Sequence, residues 1–252
     1  MAVLYPMPDY RSFINYAHRG ASEYAPENTL LSFYTGIFMG ANGIETDVQR
    51  TKDGVLVLFH DGSLTRVTGE EGAVADYTYE ELRRFSVKKG HLSDKICTLE
   101  AFLQNFSHRD LTFAIELKSA GVEEDTAALI RRYGAEEKAV ITSFHFDFVR
   151  TMRVVAPELK CGFLTSTVTD ELLAEMKELG IGEICPKAAE ITAADTARWH
   201  EMGFGVRAWG VADEEIMIRA CETGVDGMTV NFPDKLNAYI AKKREADPAR
   251  KG

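Results

Sequence analysis

Ile44-Glu45-Thr46-Asp47-Val48-Gln49-Arg50-Thr51-Lys52-Asp53-Gly54-Val55-Leu56-Val57-Leu58-Phe59-His60-Asp61 decides how the strands of this chain are counted. Lys52-Asp53-Gly54 is a turn signal between two β-rich runs, so the stretch reads as a hairpin. The arm Val55–Phe59 is then the return half of a hairpin standing on the strand Gly43–Val48. Side chains two apart on a strand point the same way, which puts Glu45 and Asp47 on one face. With the turn pivoting near Lys52-Asp53, His60 comes roughly opposite Glu45. Two like charges buried side by side are costly unless a positive charge lies between them, and a divalent metal is the simplest compensation.

Outward from this hairpin, strand-like runs alternate with helical ones. The strand candidates are Ile14–Ala17, Gly43–Val48, Val55–Phe59, Leu111–Leu117, Ala139–Ser143, Cys161–Thr165, Glu183–Pro186, Gly205–Trp209 and Gly227–Val230; without the return arm, eight remain. Helical patterns fall at Glu27–Phe38, Glu123–Arg132, Phe148–Val155, Asp170–Leu179, Ala193–Glu201, Asp213–Glu222 and Asp234–Lys243. Stop signals follow most of them, at Gly40, Gly134, Gly180, Gly203 and Gly224. Alternation predicts a parallel sheet, and eight repeats predict closure: an α/β fold, a (β/α)8 TIM barrel with a hairpin and a small insertion after the second strand. The alternative, an open doubly wound sheet, lacks a Gly-rich loop after its first strand. The insertion runs from about 61 to 99 on the barrel's rim, with a short helix at Tyr79–Phe85. The length of 252 residues suits one such domain over 1–252.

A net charge of −10 argues against nucleic acid and anionic membrane surfaces, which reward basic patches. It leaves room for an anionic small substrate, since a metal or local basic pocket reverses the sign. Cys97, Cys161, Cys185 and Cys221 form no Cys-x-x-Cys pair and read as reduced thiols. Met1–Phe13 has no basic start followed by an apolar run, and no apolar run is long enough to span a bilayer. A cytoplasmic setting is expected, with a polar, fraying end from Lys242 to Gly252. Amphipathic barrel helices look alike facing solvent or a partner, so a homo-oligomer stays open.

In such barrels the site lies at the C-terminal strand ends. There this chain has His18-Arg19-Gly20, Glu45 with Asp47, His60-Asp61, Glu116-Leu117-Lys118, Ser143-Phe144-His145, Pro186-Lys187 and Trp209. Taken singly, each has an ordinary explanation: a capped strand end, a surface ion pair, a core aromatic. Their convergence on one rim is the stronger signal. Glu45, Asp47 and Glu116 supply oxygen ligands, which suit Mg²⁺ or Ca²⁺, with Mn²⁺ also accommodated. Arg19 and Lys118 beside a metal imply an anionic substrate, and phosphate fits arginine well. His18 and His60, titrating near neutral pH, form a general base and general acid pair around a phosphoryl group.

His18-Arg19-Gly20, Pro26-Glu27-Asn28-Thr29, Glu45-Thr46-Asp47, Lys52-Asp53-Gly54, His60-Asp61 with Leu64-Thr65-Arg66, and Glu116-Leu117-Lys118 closely resemble the glycerophosphodiester phosphodiesterases of cytoplasmic bacterial type. Ser143-Phe144, Pro157, Trp209 and Gly224-Val225-Asp226-Gly227 through Asn231-Phe232-Pro233 agree with them. The resemblance implies hydrolysis of a small glycerophosphodiester to sn-glycerol 3-phosphate and an alcohol. It implies metal ligands at Glu45, Asp47 and Glu116, catalytic histidines at His18 and His60, and phosphate contacts at Arg19 and Lys118. It also implies an apolar wall of Phe144 and Trp209 and an insertion that helps cover the pocket. Water and the glycerol 2-hydroxyl, the latter through a cyclic phosphate, are both open as nucleophile. Rival readings are a lyase acting on membrane lipids, a binding protein that kept the pocket, and a metal-dependent aldolase.

Overall fold

In chain order the strands are β1 (Ile14–His18), β2 (Gly43–Arg50), β3 (Leu56–Leu58), β4 (Ser86–Lys89), β5 (Leu92–Lys95), β6 (Thr112–Leu117), β7 (Ala139–Ser143), β8 (Lys160–Thr165), β9 (Glu183–Pro186), β10 (Gly205–Val211) and β11 (Gly227–Val230). The structure, a computed structural model, describes residues 10–246. β1, β2 and β6 to β11 pair in parallel, and β1 closes the ring by pairing with both β11 and β2. Helices separate consecutive strands, so the eight-stranded β/α barrel read from the sequence is the fold.

β3 stands outside the ring, antiparallel to the upper end of β2, with Val48 opposite Leu58 and Arg50 opposite Leu56. The turn between them closes through Thr51, whose N–H donates to Val55 O at 2.9 Å, and Gly54 adopts φ 90°, a region open to glycine. The register is one residue off the expected pivot. The ladder also stops at Leu58, so His60 lies beyond the strand instead of opposite Glu45.

The inserted stretch carries short helices at Thr65–Thr68 and Tyr79–Leu82 and the hairpin β4–β5. The Tyr79 helix is shorter than expected because Arg83 already serves as its C-cap. Val57, Phe59, Leu64, Val67, Leu82, Val87 and Ile96 bury a small apolar cluster beneath these pieces. A further helix, Leu99–Phe106, is absent from the sequence reading; Thr98 caps it and Leu99, Phe102, Leu103 and Phe106 form its buried stripe. Phe102 is wholly buried, with ring centroids 5.0 Å from Phe33 and 5.2 Å from both Phe106 and Phe113. Phe102→Ala should therefore cost about 3–5 kcal/mol, measured by denaturant unfolding.

The barrel interior is partly polar. Arg207 donates from Nε to Glu183 at 2.8 Å and from NH1 to Thr229 at 2.9 Å, beneath the Tyr16 ring 5.1 Å away. Gly43 makes room for that ring, since a Cβ there would sit 2.7 Å from it. All four cysteines are free and buried. Among the described residues no helix is long and apolar enough to cross a membrane. The final helix, Pro233–Ala246, continues past Lys243 where a fraying end was expected, and Arg244 Nε donates to Tyr10 O at 2.6 Å. The rest of that expected tail, and most of the stretch searched for a leader, lie outside the described residues.

Candidate active site

The register of three neighbouring strands brings the acids together. Asp47 on β2 is level with Glu116 on β6, and Glu45, two residues earlier on the same face of β2, is level with His18 on β1. Strand alternation then turns all four side chains toward the mouth of the barrel. Glu45, Asp47 and Glu116 are buried, and each offers a carboxylate oxygen within 4.8 Å of the others. Burial, then the charges of Asp47 and Glu116, hold Glu45 well above the usual carboxylate range. Burial and Asp47 push Glu116 up to about 7, against the opposing pull of Lys118. Asp47 is fully buried and its Oδ1 accepts no hydrogen bond. Three crowded acids and one carboxylate oxygen without a hydrogen bond are the donor set a hard divalent cation satisfies, so the residues present fit such an ion.

Two cations frame these acids. Arg19 follows β1 at φ 54°, a left-handed conformation uncommon outside glycine, and Asn28 repeats it at φ 57°. That turn places Arg19 Nε 3.2 Å from Asp47 Oδ2 and lets NH1 donate to Glu27 Oε1 at 2.9 Å. Asn28 Nδ2 donates to Asp47 Oδ2 at 2.9 Å, and Asn28 Oδ1 accepts from Thr46 Oγ1 at 2.7 Å. Glu27 and Asn28 were read as helical, but the helix is Leu30–Phe38, begun by a Thr29–Ser32 capping box, which frees both side chains for the site. Lys118 donates to Glu116 Oε1 at 2.9 Å and lies 3.8 Å from Asp47 Oδ1. Its own burial disfavours the charge, but Glu116 and Asp47 more than offset this and hold its pKa above the ordinary lysine value.

Both histidines line the same cleft, each with one nitrogen committed. His18 Nδ1 lies 2.6 Å from Asn231 Oδ1, an acceptor that Ser22 Oγ also donates to. Nδ1 therefore carries the proton, and Nε2, 3.8 Å from Glu45 Oε2, keeps its lone pair. Burial, followed by the Arg19 charge, lowers His18 to about 4, so it is neutral at physiological pH. His60 Nδ1 lies 2.7 Å from Asp61 Oδ1. Hydrogen bonds from Arg66 and His60 outweigh the cost of burial and hold Asp61 at about 2. An ionised Asp61 only accepts, so His60 also carries its proton on Nδ1 and points Nε2 elsewhere.

A cleft of about 310 Å³ opens over this cluster, lined by His18, Arg19, Glu45, His60 and Glu116 on one side. Phe144, Leu164, Trp209 and Val211 form an apolar wall on the other. Phe144 and Trp209 meet edge to face at 4.7 Å, and Trp209 Nε1 donates to Thr165 O at 3.2 Å. Asp47 and Lys118 stand behind the lining, joined to it through Glu116. The structure thus gathers all nine expected residues at one rim. Sequence reasoning assigned no role to Glu27, Asn28, Arg66 or Asn231, although each lay in a motif worth noting.

A sequence model of the Glycerophosphoryl diester phosphodiesterase family matches residues 18–235. Over 235 residues the chain is 33% identical to a glycerophosphodiester phosphodiesterase of Caldanaerobacter subterraneus, covering 90% of this chain and 97% of that one. The crystal structure of a glycerophosphoryl diester phosphodiesterase from Parabacteroides distasonis matches with a TM-score of 0.79 at 26% identity, over 95% of this chain and 90% of that one. A phosphodiesterase of Oleispira antarctica, solved with the product sn-glycerol-3-phosphate, matches in fold with a TM-score of 0.81 at 23% identity, over 94% of this chain and 97% of that one.

Proposed function

The chain belongs to the glycerophosphoryl diester phosphodiesterase family, an enzyme family, and from that premise we propose how its cleft hydrolyses glycerophosphodiesters. The products are sn-glycerol 3-phosphate and an alcohol. The observation that carries this reading is the pair of imidazoles, each tied down at Nδ1, lining one cleft with a buried three-carboxylate cluster.

Glu45, Asp47 and Glu116 hold one divalent cation, Mg²⁺ or Ca²⁺, with Mn²⁺ accommodated by the same oxygens. When bound, the cation polarises the phosphoryl oxygens and offsets the charge that builds on them. His18, neutral and with Nε2 unprotonated, takes the proton from the attacking hydroxyl. His60 gives a proton from Nε2 to the leaving alkoxide, and Asp61 supports its cationic form. Arg19 and Lys118 orient the phosphate. Phe144 and Trp209 exclude water beside the glycerol or the alcohol. A net charge of −10 and four free buried cysteines support a small-molecule substrate in a reducing, cytoplasmic setting.

The test is a substrate panel of glycerophosphocholine, glycerophosphoethanolamine and glycerophosphoglycerol beside lysophosphatidylcholine. Release of glycerol 3-phosphate from the water-soluble diesters is expected. Turnover confined to the lysolipid would favour action at a membrane. Trapping a cyclic glycerol phosphate would assign the 2-hydroxyl as nucleophile, and incorporation of ¹⁸O from solvent without it would assign water. Lys118→Ala should raise KM for the diester more than it raises the metal requirement; an unchanged KM removes Lys118 from phosphate binding.

A further inference from the structure

We propose that Arg66, on the insertion, is a positioning residue for this reaction that ties His60 to the Arg19–Asp47 pair. The inference rests on the role given to His60 above. Arg66 sits on the short helix Thr65–Thr68 and uses its guanidinium as a double fork. One fork reaches Asp61, through Nε to Oδ2 and NH2 to Oδ1, the latter at 3.0 Å. The other reaches Glu27, through NH1 to Oε2 at 2.8 Å and NH2 to Oε1 at 2.7 Å. Each carboxylate then passes the constraint on. Asp61 Oδ1 holds His60 Nδ1 at 2.7 Å, and Glu27 Oε1 accepts from Arg19 NH1 at 2.9 Å. Arg19 Nε in turn stands 3.2 Å from Asp47 Oδ2.

A continuous chain, His60–Asp61–Arg66–Glu27–Arg19–Asp47, therefore runs from the histidine beyond β3 to the buried carboxylate on β2, and Arg66, on the short helix of the insertion, is its central link. The backbone near His60 is secured separately, because Gln49 Nε2 donates to Phe59 O at 2.8 Å and Asp61 O at 2.9 Å. What Arg66 adds is the setting of the Asp61 carboxylate, and through it the plane of the His60 ring. A lysine keeps the charge but cannot form two forks. The Arg66 side chain is 50% exposed, so its removal opens no core cavity and costs the fold little.

The test places Arg66→Ala and Arg66→Lys in the wild-type and His60→Ala backgrounds, with saturating divalent metal and glycerophosphocholine. Arg66→Ala should lower kcat by about 10–100-fold with little change in KM. Arg66→Lys should recover only a small part of this, and added guanidinium should restore part of the alanine variant's rate. In the His60→Ala background the same substitution should cost less than about threefold, because the residue it works through is gone. Undiminished kcat, or an equal loss in both backgrounds, overturns the proposal. ¹⁵N NMR of the histidines gives a readout that needs no turnover. In its neutral form, at alkaline pH, His60 should show the Nδ1–H tautomer in the wild type and a tautomer mixture in both Arg66 variants; an unchanged His60 spectrum overturns the link. Absence of turnover in the wild type on every diester would instead count against the activity reading, and the NMR result would still decide the role of Arg66.

Discussion

His18→Ala and His60→Ala should each lower kcat by about 10²–10⁴-fold while the barrel stays folded. The fold is expected to survive because neither imidazole belongs to an apolar core: their side chains are 30% and 32% exposed, both toward the cleft. Their partners also keep other contacts. Asn231 still accepts from Ser22, and Asp61 still holds Arg66. Far-ultraviolet circular dichroism and melting curves check the fold, and kcat on glycerophosphocholine checks the chemistry. The two roles separate with a better leaving group. An aryl alcohol leaves without protonation, so His60→Ala should lose far less activity on an aryl glycerophosphodiester than on glycerophosphocholine. His18→Ala should lose the same on both, since the nucleophile still has to be deprotonated. A variant with full activity removes that histidine from the mechanism.

Glu116→Gln should nearly abolish activity and yet make the metal-free protein more heat-stable at neutral pH. Folding raises Glu116 from its ordinary 4.5 to about 7, through burial and then Asp47. Between those values the folded state binds more protons than the unfolded one, so stability falls as pH rises through this window. Above it the ionised carboxylate is a standing cost, on the order of 3 kcal/mol when each pKa unit is worth about 1.4. Glutamine removes that cost and with it one cation ligand. Metal-stripped wild type and variant should therefore melt close together at and below about pH 4.5, with the variant a few degrees higher at pH 7.5. Saturating metal should reverse the order, because only the wild type keeps the full ligand set. A variant that melts below wild type in metal-free buffer at pH 7.5 would mean that Lys118 and Arg19 already compensate the acids.

Much of this site was legible because its residues sit at strand ends, where the two-residue period and barrel topology fix which way they point. Glu45 and Asp47 share a face by alternation alone, and Glu116-Leu117-Lys118 ends the neighbouring strand. The exact hairpin register was not legible, since Thr51 extends the turn by side-chain bonding that a turn signal does not specify. The helix Leu99–Phe106 was lost at the edge of the insertion, although Thr98 and the apolar stripe behind it announce a start. β4–β5 is mostly polar on both arms, which leaves little alternation to read. The contacts that fix the histidine tautomers lay furthest from view. His18 meets Asn231 across 213 residues of sequence, and only the closure of β1 onto β11 brings them together. Glu27 and Asn28 were hidden by continuing a helix back past its Thr29 cap.

The most direct measurement strips the protein of metal with chelator and follows glycerol 3-phosphate release from glycerophosphocholine as Mg²⁺, Ca²⁺ or Mn²⁺ is returned. The account predicts negligible release without metal and restored release with at least one of these ions, lost again in Glu116→Gln. Full release from the chelator-treated protein, or none with any ion across several headgroups, would contradict it.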